Sequence, residues 1–300
     1  MIRVLLTGAT GQLGLSLRAS CPRHIHLIPS SRSGGDGLQT LDLADAAVCR
    51  AIVRELQPDW VLNAGAYTAV DQAEREPGLA QAVNADAPAA FAEALKITGG
   101  RLLQISTDFV FDGGQGYPYQ PDQAVNPISV YGKSKAAGEA AVQDVLPDGQ
   151  TCILRTSWVY GPVGRNFLRT MLRLHRERSL DGTSLAVVSD QLGCPTATPG
   201  LASACWAALD RQLSGIHHWC DAGVASWYDF AVAIGELGQA AGVLERAARV
   251  EPIPTSSYPS PARRPSYSLL DCTSTRAWLG LPAVHWRQAL CQVMTQLICI

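Results

Sequence analysis

The sequence predicts an α/β fold built on a doubly wound, mostly parallel sheet, and two observations carry that prediction. Short runs rich in β-branched residues and leucine alternate with alanine-rich amphipathic segments along the first half of the chain, which is the pattern of βαβ units. A glycine-rich turn, "TGATGQLG", joins the first predicted strand to the first predicted helix. At 300 residues the chain is long enough for one large domain or two fused ones.

The predicted elements follow this alternation in order. Strands are expected at residues 3–7, 26–28, 60–63, 101–106, 152–155 and 185–188. Helices are expected at residues 12–19, 46–56, 86–95, 130–145, 167–178, 201–213 and 227–241. The segment 252–268 is too rich in proline and serine for regular structure. Its length favours a functional loop, with a disordered excursion as the alternative.

The glycine-rich turn predicts a dinucleotide site. Gly8, Gly11 and Gly14 follow the first strand and open the first helix. Because glycine lacks a Cβ, the turn can tighten and its backbone can approach a pyrophosphate at the helix N-terminus. This spacing beside a βαβ pattern is typical of a Rossmann domain, which we expect to span residues 1–156 and to bind NADP(H). Residues 157–300 are then mainly a smaller, mixed α/β substrate domain, with segments around 185–215 returning to the Rossmann domain.

Hydroxyl and guanidinium groups end the second predicted strand, where an NAD enzyme presents a carboxylate to the ribose. Ser31 and Arg32 suit the additional phosphate of NADP(H). NADPH is therefore the expected cofactor, although Asp36 could fold back and favour NADH. Asp42 and Leu43 follow the next short extended piece, where they could contact the adenine. Helix capping is the alternative role for Asp42.

A tyrosine and a lysine lie one turn apart in the predicted helix 130–145, within "SVYGKSKAAGE". Because an α-helix turns once in about 3.6 residues, Tyr131 and Lys135 project from the same face. An ammonium group beside a phenol stabilises the phenolate, so we expect the pKa of Tyr131 to fall below its usual value of about 10. On its own the spacing also fits an ordinary solvated helix face.

The end of the fourth predicted strand supplies a partner for that pair. Thr107 ends the run "LLQIST" ahead of Tyr131, at the carboxyl edge of the sheet where ligands of open α/β folds bind. A strand-end hydroxyl, a Tyr-x-x-x-Lys helix and this glycine loop together resemble the extended short-chain dehydrogenase/reductase superfamily. The resemblance implies a nicotinamide-dependent oxidoreductase with Tyr131, Lys135 and Thr107 as catalytic residues.

Six short blocks in order along the chain resemble the dTDP-4-dehydrorhamnose reductases, among them "AGAYTAVDQAEREP", "STDFVFDG" and "LRTSWVYG". Those enzymes reduce the 4-keto group of dTDP-6-deoxy-L-lyxo-4-hexulose with NADPH or NADH, giving dTDP-L-rhamnose. The resemblance makes Tyr131 the proton donor and places Lys135 on the nicotinamide ribose. It assigns cofactor contacts to Gly11, Gln12, Leu13, Asp42, Leu43, Ala66, Tyr67 and Thr68, and substrate contacts to Thr107, Asp108 and Trp158. The residues alone leave Trp158 open as a core indole.

The chain also departs from that family. Some members carry a glutamate in the first helix that helps to bind Mg²⁺ between subunits, but the matching stretch here has Ser16 and no acid, so we expect no metal site. His217 and His218 are adjacent and would point apart on a strand, which also disfavours a metal. A monomer and a homodimer both stay open. Arg263 and Arg264, in the proline-rich segment, could clamp the substrate diphosphate or be solvated.

Other activities of the superfamily need residues that this chain lacks. A sugar-nucleotide dehydratase carries an acid and a base after the strand-end hydroxyl, typically Thr-Asp-Glu, whereas here Phe109 follows Asp108. An epimerase needs a paired acid and base such as cysteine and histidine near the tyrosine, and residues 105–131 contain neither. A redox-inactive NADP-binding regulatory subunit is a third alternative, which the presence of both Tyr131 and Lys135 disfavours.

Composition indicates a cytoplasmic protein, and the resemblance implies that its partners are the cofactor and a dTDP-sugar. The net charge is −2 and the basic residues form no stripe, so no nucleic acid is expected. The nine cysteines include no Cys-x-x-Cys pair and are expected to be reduced. No apolar run reaches the ~18 residues of a membrane span, and the N-terminal one is too short for a signal peptide.

Overall fold

The computed structural model describes residues 1–298, and a seven-stranded parallel sheet lies at its centre. Thirteen strands occur in that part of the chain: β1 (Ile2–Thr7), β2 (Ile25–Ser31), β3 (Gln39–Thr40), β4 (Trp60–Asn63), β5 (Arg101–Thr107), β6 (Thr151–Thr156), β7 (Val159–Tyr160), β8 (Leu185–Val188), β9 (Leu192–Gly193), β10 (Thr196–Ala197), β11 (Gly215–His218), β12 (Ala225–Ser226) and β13 (Val250–Ile253). The central sheet has the order β11-β6-β5-β4-β1-β2-β3. The strand order reverses between β1 and β4, which makes the sheet doubly wound as predicted.

Eleven α-helices are found within the same residues: α1 (Gln12–Ala19), α2 (Ala46–Leu56), α3 (Val70–Ala73), α4 (Pro77–Gln81), α5 (Ala87–Thr98), α6 (Val130–Val145), α7 (Phe167–Asp181), α8 (Thr198–Asp210), α9 (Trp227–Ala240), α10 (Thr273–Leu279) and α11 (Trp286–Ile298). None of these helices, across the part of the chain that is described, is both long enough and apolar enough to cross a membrane.

Helices cover both faces of the central sheet because its strands are apolar on both sides. Along β1, Leu5 packs towards α2, α5 and α6, while Val4 and Leu6 pack towards α1 and α8. Successive side chains of a strand point to opposite faces, so this alternation sandwiches the sheet between two helical layers. The carboxyl ends of β1, β4 and β5 therefore meet at one edge of the sheet.

Helix α6 approaches the end of β5 unusually closely. The hydroxyl of Ser129 accepts a hydrogen bond from Gly132 N (3.1 Å) and so caps the helix at its first turn. A Cβ on Gly132 would lie 2.2 Å from the carbonyl oxygen of Phe109, so only glycine allows this contact. The close approach brings the next turn of α6 next to the end of β5.

A second hydrophobic core lies beyond the central sheet. It is formed by α7, α9 and α11 together with three two-stranded sheets, β7 with β10, β8 with β13 and β9 with β12. Residues 185–188 form the expected strand, but that strand pairs with β13 and not with the central sheet. Helix α8 and β11 instead pack with the central sheet, α8 against α1 and β11 beside β6.

The proline- and serine-rich segment 252–268 begins with regular structure. Pro252 and Ile253 end β13, and Thr255–Ser257 forms a single 3₁₀ turn. Proline is tolerated there because β13 has a neighbouring strand on one side only. The expectation of no regular structure is therefore wrong for the start of the segment, where pairing with β8 overrides local composition.

Candidate active site

The glycine loop joins β1 to α1 in a conformation that suits glycine. Gly8 has a φ of 64°, and a Cβ on Gly14 would lie 2.1 Å from the carbonyl oxygen of Gly8. Gly11 is the N-cap of α1, and no side chain there accepts from the first-turn N–H groups. An uncapped helix N-terminus beside glycine fits the pyrophosphate of a dinucleotide.

The next two predicted cofactor residues use their side chains within the fold. Leu13 is buried in the core beneath the sheet, so its backbone N–H is the part left for a ligand. Gln12 Nε2 donates to the carbonyl oxygen of Val159 (3.1 Å), and its Oε1 accepts from Asn166 Nδ2 (3.2 Å). Gln12 thereby ties the glycine loop to the segment that follows β6.

The end of β2 presents the groups expected for the adenosine ribose. Ser31 is buried, and its hydroxyl accepts from Gly34 N (3.1 Å). Arg32 beside it is exposed. Asp42 accepts from the backbone N–H two residues further on (2.9 Å), while Asp45 caps α2. The alternative in which Asp42 caps the helix is therefore wrong.

The segment after β4 carries the residues predicted to contact the middle of the cofactor, and Asn84 holds it in place. Asn84 Oδ1 accepts from Tyr67 N (2.9 Å), and Asn84 Nδ2 donates to Tyr67 O (3.0 Å) and to Ser134 Oγ on α6 (3.0 Å). Asn84 lies in a π-helical turn, Ala82–Asp86, a conformation often found at functional sites. No local sequence pattern marks such a turn, so the role of Asn84 could not be predicted from the sequence. Leu43 and Ala66 are half-buried in this region, and Thr68 is exposed.

Strand β5 and helix α6 bring the predicted catalytic tyrosine and threonine together. Thr107 ends β5, and its hydroxyl donates to Asp108 Oδ1 (3.1 Å). The ring of the next residue, Phe109, packs edge-on against Tyr131 with 5.6 Å between centroids. Thr107, Asp108 and Tyr131 are all buried. The phenol of Tyr131 is close enough to Thr107 and to Asp108 for each of them to shift its pKa.

The pKa of Tyr131 moves in the direction opposite to the sequence-based expectation. Burial raises it to about 12, the charge of Asp108 acts the same way, and hydrogen bonding with Thr107 opposes both. The expected lowering by Lys135 is therefore wrong, because loss of water around the phenol is the largest effect. A phenol that stays protonated at neutral pH is in the form that can donate a proton.

Lys135 and Asp108 are two further buried titratable groups at this edge. Lys135 Nζ donates to the carbonyl oxygen of Ile105 (2.7 Å), and burial lowers its pKa to about 8 while Glu139 raises it. Burial raises the pKa of Asp108 to about 6, and the nearby hydroxyls of Ser268 and Thr107 oppose that rise. The Oδ2 atom of Asp108 is buried, and it has no hydrogen-bond partner among residues 1–298. A buried acceptor of this kind fits a substrate hydroxyl.

Trp158 lies two residues beyond β6 in a strained backbone conformation. Its φ is 46°, in the left-handed region that bulky residues rarely occupy. The half-buried indole stacks on Trp227 with 3.6 Å between centroids and an angle of 6°. A Cβ on Gly193 would lie 2.8 Å from the same indole. Trp158 is thus partly accessible and not a fully enclosed core residue.

The two arginines of the proline-rich segment have different environments. Arg264 donates to both carboxylate oxygens of Asp71 on α3 (2.8 and 3.0 Å), whereas Arg263 is exposed. Further along, Ser268 N donates to the carbonyl oxygen of Leu192 on β9 (2.8 Å). Through these contacts the segment joins α3 to β9, the strand that packs against Trp158.

Metal-binding geometry is not found in the described chain: residues 1–298 contain no group of three or more histidine, cysteine or acidic side chains that could hold an ion. The stretch of α1 expected to match the glutamate of some family members contains Ser16 and no acidic residue; the carbonyl oxygen of Ser16 accepts from Ser20 Oγ (2.8 Å). A Mg²⁺ ion held by a carboxylate of α1 therefore does not fit these residues. His217 and His218 contact separate carbonyl oxygens, those of Ser214 and Tyr119.

A doubly wound parallel sheet, a glycine loop at its first βα turn and a buried Thr107, Tyr131 and Lys135 define an extended short-chain dehydrogenase/reductase. The family model for the RmlD substrate binding domain matches residues 2–299. The dTDP-4-dehydrorhamnose reductase of Salmonella typhimurium is 37% identical over 305 residues, covering 99% of this chain and 98% of the relative. This chain belongs to the dTDP-4-dehydrorhamnose reductase family.

Solved structures of the family have the same fold over the whole chain. A dTDP-4-dehydrorhamnose reductase from Clostridium acetobutylicum superposes with a TM-score of 0.89 at 34% identity and covers 100% of both chains. One from Bacillus anthracis, in complex with NADP, gives a TM-score of 0.88 at 32% identity and covers 99% of this chain and 100% of its own.

Proposed function

We propose that this protein reduces the 4-keto group of dTDP-6-deoxy-L-lyxo-4-hexulose with NADPH and so forms dTDP-L-rhamnose. The observation that carries the proposal is the buried phenol of Tyr131 beside Thr107 and Asp108 at the carboxyl edge of β5. Reduction of a ketone needs one hydride and one proton. The similar proteins named dTDP-4-dehydrorhamnose reductase support the proposed substrate, and the one solved in complex with NADP supports the proposed cofactor.

The residues divide into a cofactor side and a sugar side. The glycine loop and the N-terminus of α1 would hold the pyrophosphate, Ser31 and Arg32 the 2′-phosphate, and Lys135 the nicotinamide ribose. When bound, the reduced nicotinamide supplies the hydride. In this proposal residues 1–156 serve mainly the cofactor and residues 157–300 mainly the sugar nucleotide.

On the sugar side, Tyr131 donates its proton to the oxygen of the carbonyl group as the hydride reaches carbon 4. Thr107 hydrogen-bonds the phenol or the sugar and so orients the transfer. Asp108 Oδ2 accepts from a sugar hydroxyl, and Trp158 offers a flat apolar surface to the ring.

The neighbouring residues disfavour the two alternative reactions. Elimination of water needs a base where Phe109 packs its ring against Tyr131, and a phenyl ring cannot accept a proton. Epimerisation needs a second acid and base near the tyrosine, and residues 105–131 provide no cysteine or histidine. A single proton donor next to the cofactor side matches simple reduction.

The test is oxidation of NADPH with the keto-sugar nucleotide present, followed by identification of the product by NMR. The expected product is dTDP-L-rhamnose, with slower turnover for the UDP- and GDP-linked sugars. Tight NADPH binding without oxidation would instead indicate a redox-inactive regulatory subunit. Release of water or inversion of a neighbouring carbon would indicate a dehydratase or an epimerase.

Ser31→Asp is expected to shift cofactor preference from NADPH towards NADH by about tenfold in kcat/KM, which corresponds to about 1.4 kcal/mol. A carboxylate at this position repels a 2′-phosphate and accepts from the ribose hydroxyls of NADH. Ser20→Asp, at the far end of α1, makes the same chemical change away from the loop and should leave the preference unchanged. Equal kcat/KM for the two nucleotides in the original protein would contradict the assignment.

Trp158→Ala is expected to raise KM for the sugar nucleotide while the Kd for NADPH stays nearly constant, because an aromatic platform contributes mainly uniform binding. Steady-state kinetics and fluorescence titration measure the two quantities. Trp278→Ala removes another indole, one that is 56% exposed on α10, and serves as the control. Unfolding of Trp158→Ala, or loss of NADPH affinity, would show that Trp158 supports the core instead.

A further inference from the structure

A buried ion pair lies behind the catalytic residues. Arg155 on β6 and Glu139 on α6 expose 2% and 4% of their side chains, and three nitrogen–oxygen contacts join them, at 2.6, 3.0 and 3.1 Å. Such a pair contributes little net stability, because removing both charges from water costs about as much as their attraction returns. Its position therefore calls for a role other than stability.

Glu139 touches the catalytic strand and follows the catalytic lysine on its helix. Its carboxylate accepts a hydrogen bond from the hydroxyl of Ser106, the residue before Thr107. It also lies one helical turn after Lys135, a spacing that places two side chains on the same face. The ammonium group of Lys135 is itself held on the carbonyl oxygen of Ile105. One carboxylate thus adjoins both the end of β5 and Lys135.

We propose that Glu139, held by Arg155, is a positioning residue that fixes the end of β5 beneath Thr107 and supplies the counter-charge for the buried ammonium of Lys135. The inference rests on the roles proposed above for Thr107 and Lys135. Glu139 acts through these two residues and does not touch the substrate. Arg155 in turn holds the carboxylate in place through its three nitrogen–oxygen contacts.

The surrounding charges leave Glu139 as the group that favours the ammonium form of Lys135. Burial lowers the pKa of Lys135 and Glu139 raises it. Of the other nearby groups, His218 is neutral, because burial and Arg155 lower its pKa to about 3, and Asp108 faces the phenol of Tyr131. Acidic residues on other elements packed against α6 have other partners. Asp71 pairs with Arg264, Asp86 with Gln81 and Glu93 with Arg50, and Glu74 accepts from Val130 N at the start of α6.

The test is the pH profile of kcat/KM for Glu139→Gln. A glutamine keeps an acceptor for Ser106 but carries no charge, so the pKa of Lys135 should fall by about one unit. Because Lys135 acts as a cation, the rate falls as the pH rises through its pKa. The alkaline limb of the profile should therefore move about one pH unit lower, which at pH 8 is a loss of about fivefold.

The control is Glu74→Gln, which makes the same change at a carboxylate that accepts from Val130 N at the start of α6 (2.9 Å); its limb should stay in place. If Glu139→Gln does not fold, the double variant Glu139→Gln with Arg155→Met removes the unpaired cation as well and should still show the lower limb. An unshifted limb in the variant that folds would overturn the inference. If the original protein did not oxidise NADPH in the presence of the keto-sugar nucleotide, the proposed function would be overturned instead.

Discussion

Tyr131→Phe is expected to lower kcat by about 10²- to 10⁴-fold, the usual contribution of a general acid. The variant should fold, because the phenylalanine ring keeps the edge-on contact with Phe109. It should also bind NADPH, since one oxygen atom is removed and Lys135 and the glycine loop are unchanged. Rapid-mixing kinetics with the keto-sugar nucleotide and fluorescence titration with NADPH separate the two properties.

Tyr160→Phe is a matched control for this loss. Tyr160 is fully buried, as Tyr131 nearly is, and its hydroxyl has no hydrogen-bond partner within residues 1–298. The same atom is therefore removed from a similar environment away from the proposed chemistry, and kcat should stay unchanged. If Tyr131→Phe turned over as fast as the original protein, Tyr131 would have no part in the reaction.

The pH profile of Tyr131→Phe gives an independent check. The pKa of Tyr131, raised to about 12 by burial, puts its loss of a proton beyond the range in which rates can be measured. Of the two groups that must be protonated for the reaction, Tyr131 and Lys135, Lys135 loses its proton first, with a pKa of about 8. The alkaline limb should therefore remain in Tyr131→Phe, at a lower overall rate. Disappearance of the limb would assign it to the tyrosine.

The elements of the central sheet could be predicted from sequence because their signals are local. The helix at 130–145 begins and ends at the predicted residues, with Ser129 as its cap. Strand β4 also has its predicted bounds. The strand at 185–188 is correct as an element, but its partner β13 is distant in sequence. Pairing between strands that are distant in sequence depends on the fold of the whole chain, so the sequence of one strand does not predict its partner.

The properties of the candidate site were harder to predict than its residue types. The spacing of Tyr131 and Lys135 places them on the same helix face. The pKa of the phenol, however, depends on how far the fold excludes water from it, and the spacing does not predict that burial. Glu139 and Arg155 are 16 residues apart in the sequence and form their ion pair only in the fold. Asn84 lies in a π-helical turn. Each of these contacts depends on tertiary packing, so a single sequence does not reveal them.

Lys135→Met is expected to lower kcat by about 10²- to 10³-fold and to weaken NADPH binding at least tenfold. Methionine matches the length of lysine but carries neither the charge nor the donor proposed for the nicotinamide ribose. Lys133→Met is the matched control, because Lys133 is exposed on the same helix and should tolerate the change. A Lys135→Met variant with the original NADPH affinity would remove Lys135 from the cofactor site.

The same variant should gain stability as it loses activity. Folding lowers the pKa of Lys135 from an ordinary value of 10.5 to about 8, so the folded state binds this proton less tightly than the unfolded state does. The destabilisation caused by burying this ammonium has its full size below pH 8 and becomes smaller as the pH rises towards 10.5. Lys135→Met avoids it, so its melting temperature should exceed that of the original protein at pH 7, and the difference should shrink by pH 10. A melting temperature below the original at pH 7 would show instead that the hydrogen bond from Lys135 Nζ to Ile105 O stabilises the fold by more than burial of the ammonium costs.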